Sequence, residues 1–470
     1  MAVRERLLRP EADVVYPEER LPWPQTILMG LQHVMAMFGA TVLVPLILGF
    51  NPNTVIFFSG IATLLFIVIT NRQVPSYLGS SFGFLGSVLA IQGGSHGNHD
   101  LAFGGIIIAG AVYLLIGVVV QLLGANFIRF LMPPVVTGTV VAVIGIALAQ
   151  VAWANYKSEL VTATITVLAA ALASVYLRGF PRMLPVLIGV VVGYVASGLD
   201  QVAGGYCATA TAGCHINTGA IRNAAWFGLP TFSFPPKFDV RSFSLFWFIP
   251  IILVAENTGH VLAISGIMKR DLSGMLGRTF IGDAVGTMLS GLFGGAGETT
   301  YAENIGVMGV TRVFSIWIFI VAGVTAILLG FIPKFGGIVL SIPLSVLGGI
   351  ELYLFGLIAV IGGKIWVDAR VDFSKRANLV VVAIPLILAA GNADLKIGDF
   401  EINNLGLGAL SAIILWQLLR IGHRREGGTE GDLAGTASPV AVATAPAAPA
   451  RGAADRRNPR RNQPNRNRRR

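Results

Sequence analysis

Apolar segments separated by short polar breaks run from residue 21 to residue 422. An α-helix needs about 20 apolar residues to cross a hydrocarbon core of about 30 Å, and this stretch accommodates fourteen such helices with their loops. Only 12% of the chain is charged, whereas soluble globular proteins carry about a quarter. The sequence therefore predicts an all-α integral membrane protein with 14 transmembrane segments, and it excludes a cytosolic enzyme or binding module.

The formal net charge of +10 belongs mainly to the C-terminal end of the chain. Residues 423–470 contain eleven Arg against four acidic residues, a net of +7, in a sequence rich in Gly, Ala, Pro and Asn. Such a composition buries too little apolar surface to fold. We expect a disordered, solvated basic tail and favour no nucleic acid partner, with contact to anionic lipid headgroups or RNA as the alternative interpretation.

Lys and Arg are distributed unevenly between the loops of the predicted spans. Loops after even-numbered spans hold twelve, and loops after odd-numbered spans hold six. Because cytoplasmic loops retain positive charge, both termini are predicted to be cytoplasmic, including an N-terminal segment of residues 1–20 without an apolar stretch. The long loop of residues 200–242 is then extracytoplasmic. It contains Cys207 and Cys214, whose spacing is equally compatible with a local disulfide and with free thiols.

The two halves of the apolar stretch show weak internal similarity. An offset of 224 residues takes Gln32 to Glu256 and Tyr77 to Tyr301. Seven spans per half make such a duplication an inverted repeat. Predicted spans 3 and 10, which begin near Tyr77 and Tyr301, are the spans most interrupted by Gly and polar residues. Broken spans are tolerated in a membrane only where their backbone lines a cavity, so these two predict a transport site near the midplane.

Ionisable residues inside the spans narrow the site further, because a charge at membrane depth costs at least about 2.5 kcal/mol. Glu256 and His260 are four residues apart on one predicted helix face, and Glu303 lies in broken span 10. We expect no metal, cofactor or enzymatic activity, since the metal-binding pattern His-Glu-x-x-His does not occur. Other acidic residues lie near predicted span ends, where structural or interfacial roles are expected: Asp283, Glu298 and Glu351.

These features resemble the nucleobase/ascorbate transporter family (nucleobase:cation symporter 2), in particular its bacterial uracil permeases. The family signature is an acidic residue or Gln followed by Asn-x-Gly, four residues, Thr and a basic residue. This chain matches it with Glu303, Asn304, Gly306, Thr311 and Arg312. The family's Gln-His pair in the first span is matched by two adjacent residues, Gln32 and His33, and the segment YLGSSFGF is similar to its third span.

The resemblance implies two inverted seven-span repeats that build a substrate-holding core domain and a gate domain, with a homodimer contact through the gate. The implied bounds are 21–123 for core spans 1–4, 124–199 for gate spans 5–7, 243–332 for core spans 8–11 and 333–422 for gate spans 12–14. Residues 200–242 would form the extracytoplasmic loop between the halves.

The resemblance also assigns roles to individual residues. Glu256 and Glu303 would bind the base, and His260 would support proton coupling. The two chain breaks would complete the pocket with Phe82, Gly83, Tyr301 and Ala302. A uracil permease is expected to offer a gate-domain Tyr to the substrate, whereas this chain has Phe355, with Tyr353 nearby.

The chemistry of uracil fits these residues independently of the family. Uracil is a flat ring with two N–H donors and two carbonyl acceptors, which carboxylates, free backbone N–H groups and the face of Phe82 complement. Because the ligand is neutral, its accumulation needs a coupled ion, and a carboxylate held away from water favours its protonated form. The sequence therefore predicts a proton-coupled uracil symporter in a bacterial plasma membrane, working by alternating access with an elevator-like movement of core against gate.

Other interpretations are left open. A xanthine or uric acid permease of the same family differs only in pocket shape. An anion transporter of related fold is disfavoured because two site carboxylates repel an anion. The residues do not distinguish a coupled proton from a coupled sodium ion, nor do they decide which of Glu256, His260 and Glu303 carries the proton, because coupled groups titrate together.

Overall fold

The computed structural model describes residues 4–5, 14–93, 97–209, 213–233 and 235–425. Helices account for most of these residues, and their buried apolar side chains form one large cluster. The last helix continues to Arg425, past the predicted boundary of the tail at residue 422. The rest of the predicted tail lies outside the described residues.

The first half of the chain contains eleven helices and three strands in the described residues. In chain order the elements are β1 (Arg4–Glu5), β2 (Glu19–Arg20), α1 (Trp23–Leu48), α2 (Pro52–Ile69), β3 (Leu78–Ser80), a 3-10 turn (Phe82–Phe84), α3 (Leu85–Gln92), α4 (His99–Leu123), α5 (Asn126–Leu131), α6 (Pro134–Ala147), α7 (Ala149–Tyr156), α8 (Leu160–Tyr176), a 3-10 turn (Phe180–Met183), α9 (Pro185–Val202), α10 (Tyr206–Thr209) and α11 (Gly219–Asn223). Local signals start some of them: Asn51 caps α2 by accepting hydrogen bonds from the N–H groups of Asn53 and Thr54.

The second half begins after the long loop. Its elements are α12 (Val240–Phe246), α13 (Ile249–Met268), a 3-10 turn (Ser273–Met275), α14 (Leu276–Leu292), β4 (Glu298–Thr300), α15 (Ala302–Thr311), α16 (Ile316–Gly330), α17 (Pro333–Leu340), α18 (Leu344–Asp368), α19 (Arg376–Ala390), β5 (Leu395–Ile397), β6 (Phe400–Ile402) and α20 (Asn404–Arg425). A capping box between Asp239 and Ser242 starts α12, which continues into α13 after a short break.

Eight helical segments in the described part of the chain are long and apolar enough to cross a membrane, or nine if α16 and α17, which are bent by 83°, form one span. The protein is therefore a mostly helical, multi-pass membrane protein. The other predicted spans fall on shorter helices, such as α8 and α19, or on strand–helix segments. Helix length alone does not establish fourteen spans, so that count stays a prediction.

Predicted spans 3 and 10 are each broken into a three-residue strand followed by a short helix. Strands β3 and β4 pair antiparallel, with Leu78 opposite Thr300 and Ser80 opposite Glu298. The ladder is continued by the N–H of Tyr301, which donates to the carbonyl of Tyr77 at 3.2 Å. This pairing satisfies backbone groups that no helix satisfies here, which is the condition for irregular backbone inside a membrane.

The helices pack in two groups. Helices α1–α4 pack with α13–α16 around the β3–β4 pair, a group we term the site bundle, and α6–α9 pack with α18–α20 in the flanking bundle. Small residues permit the closest approaches. A Cβ added to Gly60 would lie 2.5 Å from the Gly323 carbonyl within the site bundle, and one added to Gly145 would lie 2.2 Å from the Phe355 carbonyl within the flanking bundle.

The long loop between the halves is attached to both bundles. Cys207 and Cys214 form a disulfide with their Cα atoms 5.2 Å apart, which decides between the two alternatives that the sequence allowed. On the flanking bundle, the N–H of Ser345 donates to the carbonyl of Gly213 at 3.1 Å. On the site bundle, Lys237 forms an ion pair with Asp100 at 3.0 Å.

Candidate functional site

The pairing of β3 with β4 brings the N-terminal ends of two helical elements close together. The 3-10 turn after β3 begins at Phe82, and α15 begins at Ala302. No side chain in the described part of the chain caps α15. The first N–H groups of a helix have no partner within it, so they remain available to an acceptor such as a ligand carbonyl.

A cavity of about 1490 Å³ adjoins this strand pair and lies between the two bundles. Glu256, His260 and Glu303 line its inner end. Its other end is lined by residues near helix ends, among them Arg182 and Lys364. The cavity thus connects the broken segments with one face of the molecule.

The two carboxylates of the cavity come from different elements of the site bundle. Glu256 lies in the middle of α13 and accepts a hydrogen bond from Ser81 Oγ at 3.1 Å. Glu303 lies in the first turn of α15, where the helix dipole favours a negative charge. Both side chains are partly buried and line the cavity. Together they offer acceptors to a ligand that carries N–H groups.

His260 is held beside these carboxylates by a residue of β4. Its Nδ1 lies 2.9 Å from Thr300 Oγ1. His260 and Glu256 are one helical turn apart and both line the cavity. The structure therefore brings Glu256, His260 and Glu303 together, although they come from two helices far apart in sequence.

Aromatic side chains from both bundles meet at the inner end of the cavity. Phe82 lines it and contacts Phe355 of α18 edge to face, with ring centroids 5.5 Å apart. Tyr353 lines the cavity nearby on the same helix. Phe355 is almost fully buried behind Phe82, so Tyr353 is the more accessible of these two aromatic residues.

The other predicted pocket residues differ in what they expose. Tyr301 and Ala302 line the cavity, but the Tyr301 hydroxyl is occupied, since it accepts from Thr41 at 2.9 Å and donates to the carbonyl of Ser80 at 3.0 Å. Gly83 is buried, and its N–H donates to Ser81 Oγ at 3.1 Å. This hydrogen bond stabilises the 3-10 turn, and it leaves Gly83 without a free N–H for a ligand.

The adjacent motif residues of α1 do not line the cavity themselves, although Met183, the partner of Gln32, does. His33 is fully buried, and its Nδ1 and carbonyl both accept from Asn304 Nδ2, at 2.9 and 3.1 Å. Asn304 follows Glu303, so this contact fixes the start of α15 against α1. Gln32 donates to Met183 Sδ at 3.2 Å.

The remaining motif residues lie along α15 and at its end. Gly306 lines the cavity. The Thr311 hydroxyl donates to the Val307 carbonyl at 2.9 Å. Arg312 is exposed, ends α15 in the left-handed conformation at φ 55°, and its carbonyl accepts from the N–H of Val15. Arg312 therefore lies away from the carboxylates.

Several residues that bear on the site were missed by sequence reasoning. Ser81 and Thr300 hold Glu256 and His260, but small hydroxyl residues in short strands carry no sequence signal of that role. Three acidic residues expected near span ends are fully buried, which is incompatible with an exposed interfacial position: Asp283, Glu298 and Glu351. Each has a polar partner instead, such as Asn257 for Asp283 at 2.5 Å and Asn155 for Glu351 at 2.9 Å.

Comparison with known sequences places the chain among permeases. The family model Xan_ur_permease, described as "Permease family", matches residues 24–397. The protein named "Putative pyrimidine permease RutG" of Escherichia coli (strain K12) is 46% identical over 417 residues, which is 87% of this chain and 92% of the relative. "Uracil permease" of Paenibacillus larvae subsp. larvae is 37% identical over 86% of this chain and 96% of its own length.

Solved transporters share the fold at low sequence identity. The transmembrane domain of the cyanobacterial bicarbonate transporter BicA matches with a TM-score of 0.57 at 15% identity, covering 84% of this chain and 97% of that domain. The murine anion transporter Slc26a9 matches with a TM-score of 0.60 at 11% identity, covering 85% of this chain and 68% of its own.

The permease names of the relatives identify a membrane transport protein rather than an enzyme. The apolar spanning helices, the two broken segments and the cavity between the bundles agree with that class. The chain belongs to the nucleobase/ascorbate transporter family, to which the permease model and the uracil permeases correspond.

Proposed function

We propose that the protein is a proton-coupled symporter that imports uracil by alternating access. The observation that carries the proposal is the meeting of Glu256, Glu303 and Phe82 in one cavity beside the uncapped start of α15. This set complements uracil, with acceptors for its N–H groups, donors for a carbonyl and a ring for stacking. Relatives named uracil permease and pyrimidine permease support the substrate class.

The roles follow from position. Glu256 and Glu303 accept the N–H groups of the base, and the N–H of Ala302 donates to a carbonyl. Phe82 stacks on the ring, and Tyr353 contributes from the flanking bundle, with Phe355 supporting Phe82 from behind. His260, next to Glu256, takes part in proton coupling.

Proton coupling is supported by the charges around the site. Among the described residues, no Lys or Arg forms an ion pair with Glu256 or Glu303. A charge held away from water without a counter-ion is costly, so proton binding is the simplest compensation. Because uracil is neutral, these protons provide the only charge that moves with it, and a proton gradient then drives accumulation.

The proposed architecture is two inverted seven-span repeats, with the site bundle as core domain and the flanking bundle as gate domain. The helix contacts support it. When both spans of a contacting pair are replaced by the spans seven positions away in the predicted order, the new pair is also in contact. Helix α4 packs on α14 as α16 packs on α2, and α8 packs on α9 as α19 packs on α20. A homodimer through the gate domain belongs to the same proposal.

The open end of the cavity is proposed to face the bacterial cytoplasm. It is lined by Arg182 and Lys364, which belong to the set of loops richer in Lys and Arg. In this orientation the structure represents an inward-open state, both termini are cytoplasmic, and the disulfide-bonded loop lies outside.

Uptake of radiolabelled uracil into proteoliposomes tests the proposal. We expect accumulation under an inward proton gradient, its loss when the gradient is collapsed, and its loss in Glu303→Gln. The matched control is Glu351→Gln, which replaces a buried carboxylate of the flanking bundle and should retain uptake. Accumulation that survives collapse of the gradient, or that follows a sodium gradient instead, contradicts proton coupling.

Competition by unlabelled bases separates uracil from the larger substrates of related carriers. We expect uracil to displace the label most strongly. Stronger displacement by xanthine or uric acid would assign the site to a purine.

A further inference from the structure

Glu298 is a buried carboxylate that the proposed substrate site does not use. It begins β4 and is fully buried. Its backbone N–H donates to Thr287 Oγ1 at 3.0 Å, and Ser290 Oγ donates to its Oε1 at 3.3 Å. Within the described part of the chain, its Oε2 meets no hydrogen-bond donor.

No positive charge compensates this carboxylate in the described residues. The titratable groups that face it are acidic or phenolic: α14 contributes Asp283, the segment before β3 contributes Tyr77, and the start of α15 contributes Tyr301. An ionised carboxylate in this place would have one hydroxyl donor and an acidic neighbour. Such a buried charge is unstable unless it binds a proton.

Ser80 connects Glu298 to the cavity. The two residues are directly opposite in the antiparallel ladder, so their side chains share one face of the strand pair. Ser80 lines the cavity, and its hydroxyl has no hydrogen-bond partner in the described structure. Thr300, which contacts His260, is on the same face of β4 by the two-residue alternation of a strand.

We propose that Glu298 is a second proton-binding site of the core, behind the substrate site and reached from the cavity through Ser80. Ser80 Oγ and Glu298 Oε2 are not hydrogen-bonded to each other in this structure, so loading begins with a rotation of the Ser80 side chain toward Oε2. The Ser80 hydroxyl then gives its hydrogen to the Glu298 carboxylate and takes one from a hydronium ion in the cavity, which becomes neutral water; release is the reverse. One O–H bond forms for each that breaks, and no other reactant is needed. The inference rests on the proposed proton-coupled transport and adds one proton to it.

The test compares Glu298→Gln with the matched variant Glu351→Gln in proteoliposomes. Gln resembles the protonated acid but cannot exchange its proton. We expect Glu298→Gln to keep uracil binding and uracil counterflow, which needs no gradient, and to take up one proton fewer per uracil. One coupled proton that moves down a gradient of one pH unit supports about a tenfold ratio of internal to external uracil. The loss of one proton per uracil should therefore lower uracil accumulation about tenfold for each pH unit of the gradient. Glu351→Gln should match the unmodified protein.

The outcomes separate this inference from the proposed function. If the unmodified protein takes up no protons with uracil, both are overturned. If it does and Glu298→Gln keeps the same proton count and accumulation, only the inference is overturned. Should Glu298→Gln fail to fold, Ser80→Ala is tested instead. The inference expects slower proton uptake in this variant, in which Glu298 is unchanged. An unaltered proton-to-uracil ratio and an unaltered rate would contradict it.

Discussion

The two faces of the contact between the bundles differ sharply. On the face with Lys364, the large cavity separates site bundle from flanking bundle. On the opposite face the bundles touch: Arg241 of α12 pairs with Glu401 of β6 at 3.1 Å, and Asn403 Nδ2 donates to Ser87 Oγ at 3.1 Å. We call these the open face and the closed face.

The closed face also has an apolar part. Helix α1 meets α9 and α18 there and leaves a residual space of only about 10 Å³, lined by Phe38 and Leu347 among others. Gly39 and Val186 lie where this closed part borders the large cavity, and they line both spaces. The closed face is thus held by a small number of local contacts. Changes on the open face should therefore alter affinity for the substrate, and changes on the closed face should alter which face is open.

The largest effect is expected from Glu256→Gln on the open face. The variant loses a charged acceptor, and hydrogen bonds to charged groups contribute about 1.5–3 kcal/mol, so uracil binding should weaken about 10- to 100-fold. Calorimetry on the purified protein measures this. Thiol labelling at Leu347→Cys, a closed-face position, should remain as slow as before. Faster labelling would mean that the two faces are not separable.

Gly39→Val should produce the next largest effect. A Cβ at this position would lie 2.9 Å from Val186 Cγ1, and overpacking costs about 1–3 kcal/mol. The closed face should loosen, with Leu347→Cys labelling about tenfold faster. The two natural cysteines are joined in a disulfide, so the introduced thiol is the only free one. Unchanged labelling would show that α9 adapts at no cost.

Breaking the Arg241–Glu401 pair should have a smaller effect. Both side chains are partly exposed, and such pairs contribute at most about 1 kcal/mol, so Glu401→Gln should speed closed-face labelling no more than about fivefold. The double exchange Arg241→Glu with Glu401→Arg should restore the original rate. High salt should mimic the single variant, because it screens the pair; salt independence would assign the contact no role.

The smallest effect is expected from a change in the N-terminal segment, because in the described part of the chain this segment contacts the site bundle and not the flanking bundle. Glu18 pairs with Arg270 at 2.7 Å, and this hydrogen bond lowers the pKa of Glu18 below its usual 4.5. The stabilisation is therefore present above pH 4.5 and is lost as the pH falls through the lowered value. Glu18→Gln should cost at most about 0.5 kcal/mol near neutral pH, with melting curves converging in acid. Altered closed-face labelling would show that this segment reaches both bundles.

The sequence predicted the membrane class and the two broken spans because both depend on local composition. Apolar runs identify long helices such as α1, and Gly with polar residues marked the breaks near Tyr77 and Tyr301. The number of spans was less accessible, since α8, α14 and α19 are short for a spanning helix. The identity of the family followed from the motif that begins at Glu303.

The contacts that complete the site depend on residues far apart in the chain. No local pattern indicates that Ser81 meets Glu256 or that Asn304 meets His33. Burial of Glu298 was also unpredictable, because its environment is made by α14 and by the partner strand β3. Sequence reasoning therefore identified the two carboxylates and the histidine that meet at the cavity, and it missed the residues that hold them.

The β3–β4 pair also constrains biogenesis. The ribosome completes β3 long before β4, and until then the backbone N–H and C=O groups of β3 have no partner. Unpaired backbone groups cost several kcal/mol each in hydrocarbon, so the nascent first half should keep this segment near water or beneath protein until the second half enters the membrane. Neither half, made as a separate polypeptide, contains a complete site, and activity should return only when the two halves associate.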